Sequence, residues 1–233
     1  MSLEQKLKNP PRAMLTLYGE SEAPNVIKRC YEVNPFFGEW ACDKVYGELW
    51  EREPLTMLEK SLITVVSLAV LGKEEQLTIH LKGLLHLGKN IKFIEQLVLC
   101  LMSEKFISSD EKILSLISKS FKKPESNNEQ DKLGLMPEET LFEHDKIIIR
   151  ITAVATLGNN ANTETLLKEI CLNNLLSSEE ISAIFLHLMI YCGCPVTMNA
   201  CSILNNVLAE REIMLAAKEN LLYSAAYSEA TRK

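Results

Sequence analysis

Thr56-Met57-Leu58-Glu59-Lys60-Ser61-Leu62-Ile63-Thr64-Val65-Val66-Ser67-Leu68-Ala69-Val70-Leu71-Gly72 reads as one complete helix. Thr56 and Glu59 form a capping box: the hydroxyl takes an orphan amide and the carboxylate reaches back to the cap. The residues between are apolar nearly all round, so this helix has no solvent face and belongs at the centre of a core. Gly72 ends it, because glycine adopts the left-handed geometry after a helix without a steric cost. A helix buried on every side needs other elements around it, and the flanking sequence supplies them.

Downstream, Lys73 to Leu87 is amphipathic. Leu77, Leu81 and Leu84 repeat at helical spacing on one face, His80 lies with them, and Gly88 stops the run. Ile91 to Met102 is a further apolar helix, and Ser108 or Ser109 begins another that runs to about Lys122. From Pro124 to Lys132 the chain is polar, which predicts a solvated linker over 124–136. Upstream, Pro10-Pro11 suggests an irregular arm, and a helix is expected from about Ala23 to Glu32. Asn34-Pro35 opens another that carries Phe36, Phe37, Trp40 and Trp50, with proline suited to the first helical position.

Beyond the linker the theme returns. Pro137 opens a long helix ending at Gly158, Thr163 to Asn174 is amphipathic, and Ser177 with Glu180 caps the apolar run Ile181 to Tyr191. Gly72 matches Gly158 and Ile94 matches Ile181 with a one-residue slip, a regularity that points to an internal duplication. The expected organisation is all-α: a first unit over 20–123, the linker, and a second, diverged unit over 137–225. The first unit has His80 where the second has Leu166 or Leu167. The second has Tyr191-Cys192-Gly193-Cys194-Pro195 where the first has Ser103-Glu104-Lys105.

Composition narrows the function. The chain has 233 residues and 47 % hydrophobic content, enough for a sizeable core, and its 9 glycines and 8 prolines are too few for an all-β fold. A net charge of −6 offers no basic field, so nucleic acid is not an expected partner. The N-terminus lacks a signal-peptide core, and the sequence is read as having no charge-free apolar run of spanning length. A cytoplasmic protein with no membrane partner is expected. The seven cysteines show no framework spacing, and no Cys/His spacing fits a zinc site.

The segments quoted resemble the carboxymuconolactone decarboxylase family. The resemblance rests on Trp50, Arg52 and Leu55; on Lys60-Ser61-Leu62; on Val70-Leu71-Gly72; on Leu77 and His80; and on Gly88 and Glu95. In the second unit it rests on Tyr191-Cys192-Gly193-Cys194-Pro195 and Asn199-Ala200. It covers Asn34 to Leu101 well and His144 to Leu208 more loosely. It implies an all-α fold with a pair of antiparallel helices at its centre. It also implies homo-oligomers, often of six units, which a chain with two units reaches as a trimer. Two chemistries occur in the family: cofactor-free decarboxylation of a carboxylated muconolactone, and thiol peroxidase activity of the alkylhydroperoxidase D type with a Cys-x-x-Cys…His motif. Here the two cysteine positions of that motif hold Lys73 and Gln76, and the proton-relay glutamate position holds Ser61. An acidic residue common in the decarboxylases is replaced by Gln76.

Each candidate residue has a structural and a chemical reading. Alone, His80 reads as a buried, hydrogen-bonded side chain. With the resemblance it reads as the general acid/base, since an imidazole near neutrality can stabilise charge and carry a proton. Arg52 either pairs with Glu48 one turn away or clamps the carboxylate of a small anionic metabolite through its planar fork. Glu48 favours the ion pair, and Tyr191 is a further substrate-binding candidate. Cys192 and Cys194 are small fillers at a helix break or a strained redox pair serving a thiol peroxidase or disulfide reductase. His187, between Ile184 and Tyr191, reads as structural, and His144 as exposed. A non-catalytic member of the fold is the third alternative.

Overall fold

The computed structural model describes residues 2–107 and 141–230. The expected linker, the helix from Ser108 and the Pro137 helix start lie outside the described residues. Among those described, every regular element is a helix: α1 (Leu3–Lys8), α2 (Arg12–Val33), α3 (Pro35–Trp40), a π-helical segment (Ala41–Leu49), α4 (Met57–Val70), α5 (Glu74–His86), α6 (Ile91–Ser103), α7 (Glu143–Thr156), α8 (Asn160–Leu172) and α9 (Ser178–Ala230).

The Thr56 box forms as read: Glu59 accepts from the Thr56 amide at 2.6 Å, and Thr56 accepts from the Glu59 amide at 3.3 Å. Ser177 and Glu180 do the same at the start of α9. From Lys60 to Ala69 every residue of α4 is buried, including Lys60, Ser61, Thr64 and Ser67. The chain turns at Gly72, where φ is +65°, and α5 folds back along α4. The same step recurs at Gly158, with φ +67°, between α7 and α8. Element lengths agree as well: α4 and α7 have 14 residues each, α5 and α8 have 13.

α4 and α7 run the same way. Glu59 meets His144 near their N-termini, and Thr156 reaches Ser67 near their C-termini. α9 lies alongside both, with its N-terminal Glu180 at His144 and its Tyr191 at Thr64. The cores span both halves of the chain. One joins Leu55 and Ile63 to Ile184, Phe185 and Leu188, and another joins Leu62 and Val66 to Ile149 and Ala153.

Three features depart from the sequence reading. The N-terminal arm is helical, because Ser2 and Gln5 cap α1, Lys6 pairs with Asp43, and Ala13, Met14 and Leu17 are buried. α2 therefore starts at Arg12, well before Ala23, and is kinked at Gly19. The segment entering Trp50 is widened to π geometry, closed by the Trp50 amide donating to the Val45 carbonyl at 2.9 Å. Finally, Ile181 to Ala209 carries no Asp, Glu, Lys or Arg, and Ser178–Ala216 is long and apolar enough to cross a membrane by length and composition. Polar Ser, Asn and Thr residues hide that run from a reading that looks for continuous apolar sequence. Its first half is core, with Ile181, Ile184, Phe185 and Leu188 fully buried, and the helix kinks at Gly193.

Candidate functional site

The π-helical segment delivers Trp50 to the interior, where it is fully buried. Four rings from three parts of the chain meet there. Trp50 lies parallel to His80 of α5, with centroids 6.2 Å apart and planes 4° apart. Trp50 also meets His187 of α9 edge-on at 4.8 Å. His187 lies 5.9 Å from Tyr191, and Tyr191 stands perpendicular to His80 at 6.3 Å, which closes the cycle. Tyr18 and Tyr46 extend the cluster and share a hydroxyl contact of 3.0 Å.

α4 supplies the polar floor. Thr64 Oγ1 is 2.8 Å from the Tyr191 hydroxyl, 3.2 Å from His187 Nε2 and 2.9 Å from the Lys60 carbonyl. The buried Lys60 ammonium donates to the Trp50 carbonyl at 2.8 Å and so ties the tryptophan segment to α4. Three buried ring nitrogens, Trp50 Nε1, His80 Nδ1 and His187 Nδ1, have no hydrogen-bond partner among the described residues.

Burial controls the ionisation of this cluster, since a low-dielectric site disfavours charge. It pushes His80 down to about 4. It also pushes His187 down to about 3, helped by the nearby Lys60 charge and by His80. Lys60 is lowered by burial against the opposing pull of Glu51, Glu59 and Glu53. The Tyr191 and Tyr46 hydroxyls are raised well above the ordinary phenol value by burial. Near neutral pH both histidines are uncharged.

The residues singled out from sequence fall into separate places. His80 and Tyr191 are in the ring cluster. Arg52, Glu48 and Cys194 line an open cleft of about 720 Å³, with Trp40, Val45, Leu49, Leu186 and Ile190 as its apolar wall. The two places are back to back: Trp50 faces inward while Glu51 and Arg52 face the cleft, and in α9 His187 and Tyr191 face inward while Leu186 and Ile190 face the cleft. Glu48 pairs with Lys44, not with Arg52. Cys192 is half-buried against Thr156, and burial pushes its thiol up, away from the reactive thiolate.

Sequence reasoning gave Lys60 and Thr64 no chemical role and treated His144 as an exposed turn residue. Lys60 carries a weak signal, since a lysine at the fourth position of an all-apolar helix has nowhere to go but inward. His144 sits between the two capping-box carboxylates, 3.5 Å from Glu59 and 3.3 Å from Glu180. Ligating atoms of these three lie within 4.8 Å of one another, a spacing a metal ion could use. Each carboxylate is already committed to its cap through its other oxygen, and the imidazole faces one glutamate with each nitrogen. The trio fits an ionic clamp at least as well as a metal centre.

No family model matches this chain. It is similar to the 4-carboxymuconolactone decarboxylase of Acinetobacter baylyi, with 26 % identity over 99 residues that span 42 % of this chain and 74 % of that enzyme.

Proposed function

We propose that the chain is a cofactor-free decarboxylase of a small carboxylated lactone or related metabolite, with His80 as its general acid/base. The observation that carries this reading is the set of three unpartnered ring nitrogens in one buried cluster. Buried polar groups in native cores are almost always hydrogen-bonded, and each exception costs about 1–3 kcal/mol. Three such nitrogens in one cluster leave two histidines and an indole free to hydrogen-bond a ligand. The similarity to a decarboxylase, together with Lys73 and Gln76 in place of a Cys-x-x-Cys pair, favours this reaction over peroxide reduction.

The chemistry asks for little beyond these residues. The carbon–carboxylate bond breaks, carbon dioxide leaves, and the electron pair flows into the lactone carbonyl. His80 then delivers one proton to carbon and recovers it from water. Burial keeps the ring neutral when no anion is beside it. A bound anion raises its affinity for a proton, so the acid forms where the substrate sits. Aromatic walls suit a flat unsaturated ring, and Arg52 in the adjoining cleft gathers the carboxylate on approach.

The test is turnover of 4-carboxymuconolactone, and of related carboxylated lactones, by the wild-type chain and by His80→Ala and His80→Asn. Loss of about two to four orders of magnitude in both variants, with the fold retained, supports the assignment. A lowered melting temperature with unchanged turnover makes His80 structural. Absence of turnover by the wild type across the lactones removes the decarboxylase reading itself.

A further inference from the structure

Counting donors around Thr64 fixes the state of His187. The threonine hydroxyl has one proton and can accept two hydrogen bonds. It donates to the Tyr191 hydroxyl, at 2.8 Å, or to the Lys60 carbonyl, at 2.9 Å. Either acceptor takes the one Thr64 proton and leaves none for His187. His187 Nε2, at 3.2 Å, then meets a lone pair and carries the proton. What is left over on the ring is the bare Nδ1 lone pair. The opposite tautomer would bury an N–H with no acceptor, the rarer and costlier defect.

We propose that His187, supplied by α9, is a substrate-contacting residue that accepts a hydrogen bond at Nδ1, and that Thr64 is the positioning residue that holds it in this tautomer. The inference rests on the decarboxylase reading for the identity of the substrate. His187 Nδ1 offers an acceptor and Trp50 Nε1 offers a donor, on rings whose centroids are 4.8 Å apart. A group bearing one O–H and one C=O complements the pair. The half of the chain that lacks a counterpart of His80 thus supplies the second histidine of the site.

The experiment labels the four histidines with nitrogen-15 and reads their ring nitrogens near neutral pH, with the His187 signals assigned by their loss in His187→Gln. A protonated Nε2 and a bare Nδ1 are expected, with the Nδ1 signal moving when the lactone saturates the protein. Thr64→Val should give a mixture of tautomers and Thr64→Ser should restore one. His187→Gln keeps a donor near Nε2 and discards the Nδ1 acceptor. It should hold its melting temperature and lose about tenfold to a hundredfold in turnover, the worth of one lost hydrogen bond in a dry site. His187→Asn, which keeps an acceptor near Nδ1, should lose less turnover and more stability. A protonated Nδ1, an Nδ1 signal indifferent to the lactone, or full turnover in His187→Gln overturns the proposal. If the wild type turns nothing over but the Nδ1 signal still moves with lactone, the decarboxylase reading falls and the proposal stands. If the wild type is active and the Nδ1 signal is still, the proposal falls alone.

Discussion

Trp50 and His80 lie face to face, with ring planes 4° apart, although one comes from a widened helix end and the other from the middle of α5. The pair joins the segment facing the Arg52 cleft to the unpartnered nitrogens inside. Trp50→Ala should destabilise the fold by about 3–5 kcal/mol, the range for emptying a buried aromatic site. Trp50→Phe should cost far less, because it refills much of the volume and removes an unsatisfied Nε1–H. Chemical denaturation of the two variants checks this, and equal losses would mean that the indole nitrogen is satisfied after all.

The buried histidines set an acid limit on stability. Their folded values, about 4 for His80 and about 3 for His187, lie below the ordinary 6.5. Below 6.5 the unfolded chain takes up protons that the folded chain refuses, so stability falls as pH falls. The contribution is fully present above 6.5 and is lost progressively towards 4 and 3. Each histidine should cost about 1.4 kcal/mol per pH unit within its window. Urea denaturation between pH 7.5 and pH 5 should show this slope, and the His80→Asn, His187→Gln double variant should lose most of it. A flat wild-type profile would mean that the rings are charged or solvated.

How much of this was readable beforehand can be argued residue by residue. The Thr56 and Ser177 caps, the Gly72 and Gly158 turns and the all-α class follow from local rules that need no partner. The inward side of α5, and so His80, follows from leucine spacing. Where His187, Thr64 and Tyr191 meet does not follow, because α9 and α4 are more than a hundred residues apart and each is apolar nearly all round. Periodicity gives such helices no preferred face. The π-helical widening before Trp50 has no sequence signature either, and it is what turns Trp50 inward while Arg52 and Glu48 face the cleft.

The cysteines should prove poor redox groups. Burial pushes the thiols of Cys30, Cys42, Cys100, Cys171, Cys192 and Cys201 upward, and a nucleophilic thiol needs the opposite shift. The exposed Cys194 should react first with a thiol reagent in the native protein, and the fully buried Cys42 only on unfolding. Robust peroxide turnover that vanishes in Cys192→Ser or Cys194→Ser would favour a thiol peroxidase over a decarboxylase.

Self-association is expected from a different surface than the sequence suggested. The apolar helix starting at Met57 is covered within the chain itself, and the one starting at Ile181 buries Ile181, Ile184, Phe185 and Leu188 there. Exposed apolar side chains gather instead at Val33, Phe36, Phe37 and Trp40, and at Ile213, Met214 and Leu215 of α9. Contiguous apolar patches of this kind mark contact surfaces. Sedimentation at micromolar concentration should show a homo-oligomer, a trimer if six units assemble. Phe36→Ser with Ile213→Glu should shift it towards monomer, and a monomeric wild type would refute the expectation.

Arg52 separates binding from chemistry. It faces the open cleft, across the Trp50 segment from His80, and its guanidinium has no carboxylate partner within salt-bridge distance among the described residues. A free guanidinium beside an apolar wall suits an aryl or unsaturated carboxylate, held through a forked charge-assisted hydrogen bond worth about 1.5–3 kcal/mol. If Arg52 only gathers the substrate, it contributes equally to the ground state and the transition state. Arg52→Gln should then raise KM by about ten- to a hundredfold with kcat little changed, the signature of lost uniform binding. Arg52→Lys should recover only part of the loss, since an ammonium keeps the charge without the fork. Stability should be nearly unaffected, because no ion pair is broken. Steady-state kinetics on the three proteins decides the matter: a fall in kcat at constant KM would place Arg52 at the reacting atoms and would require the Trp50 segment to swing aside during turnover.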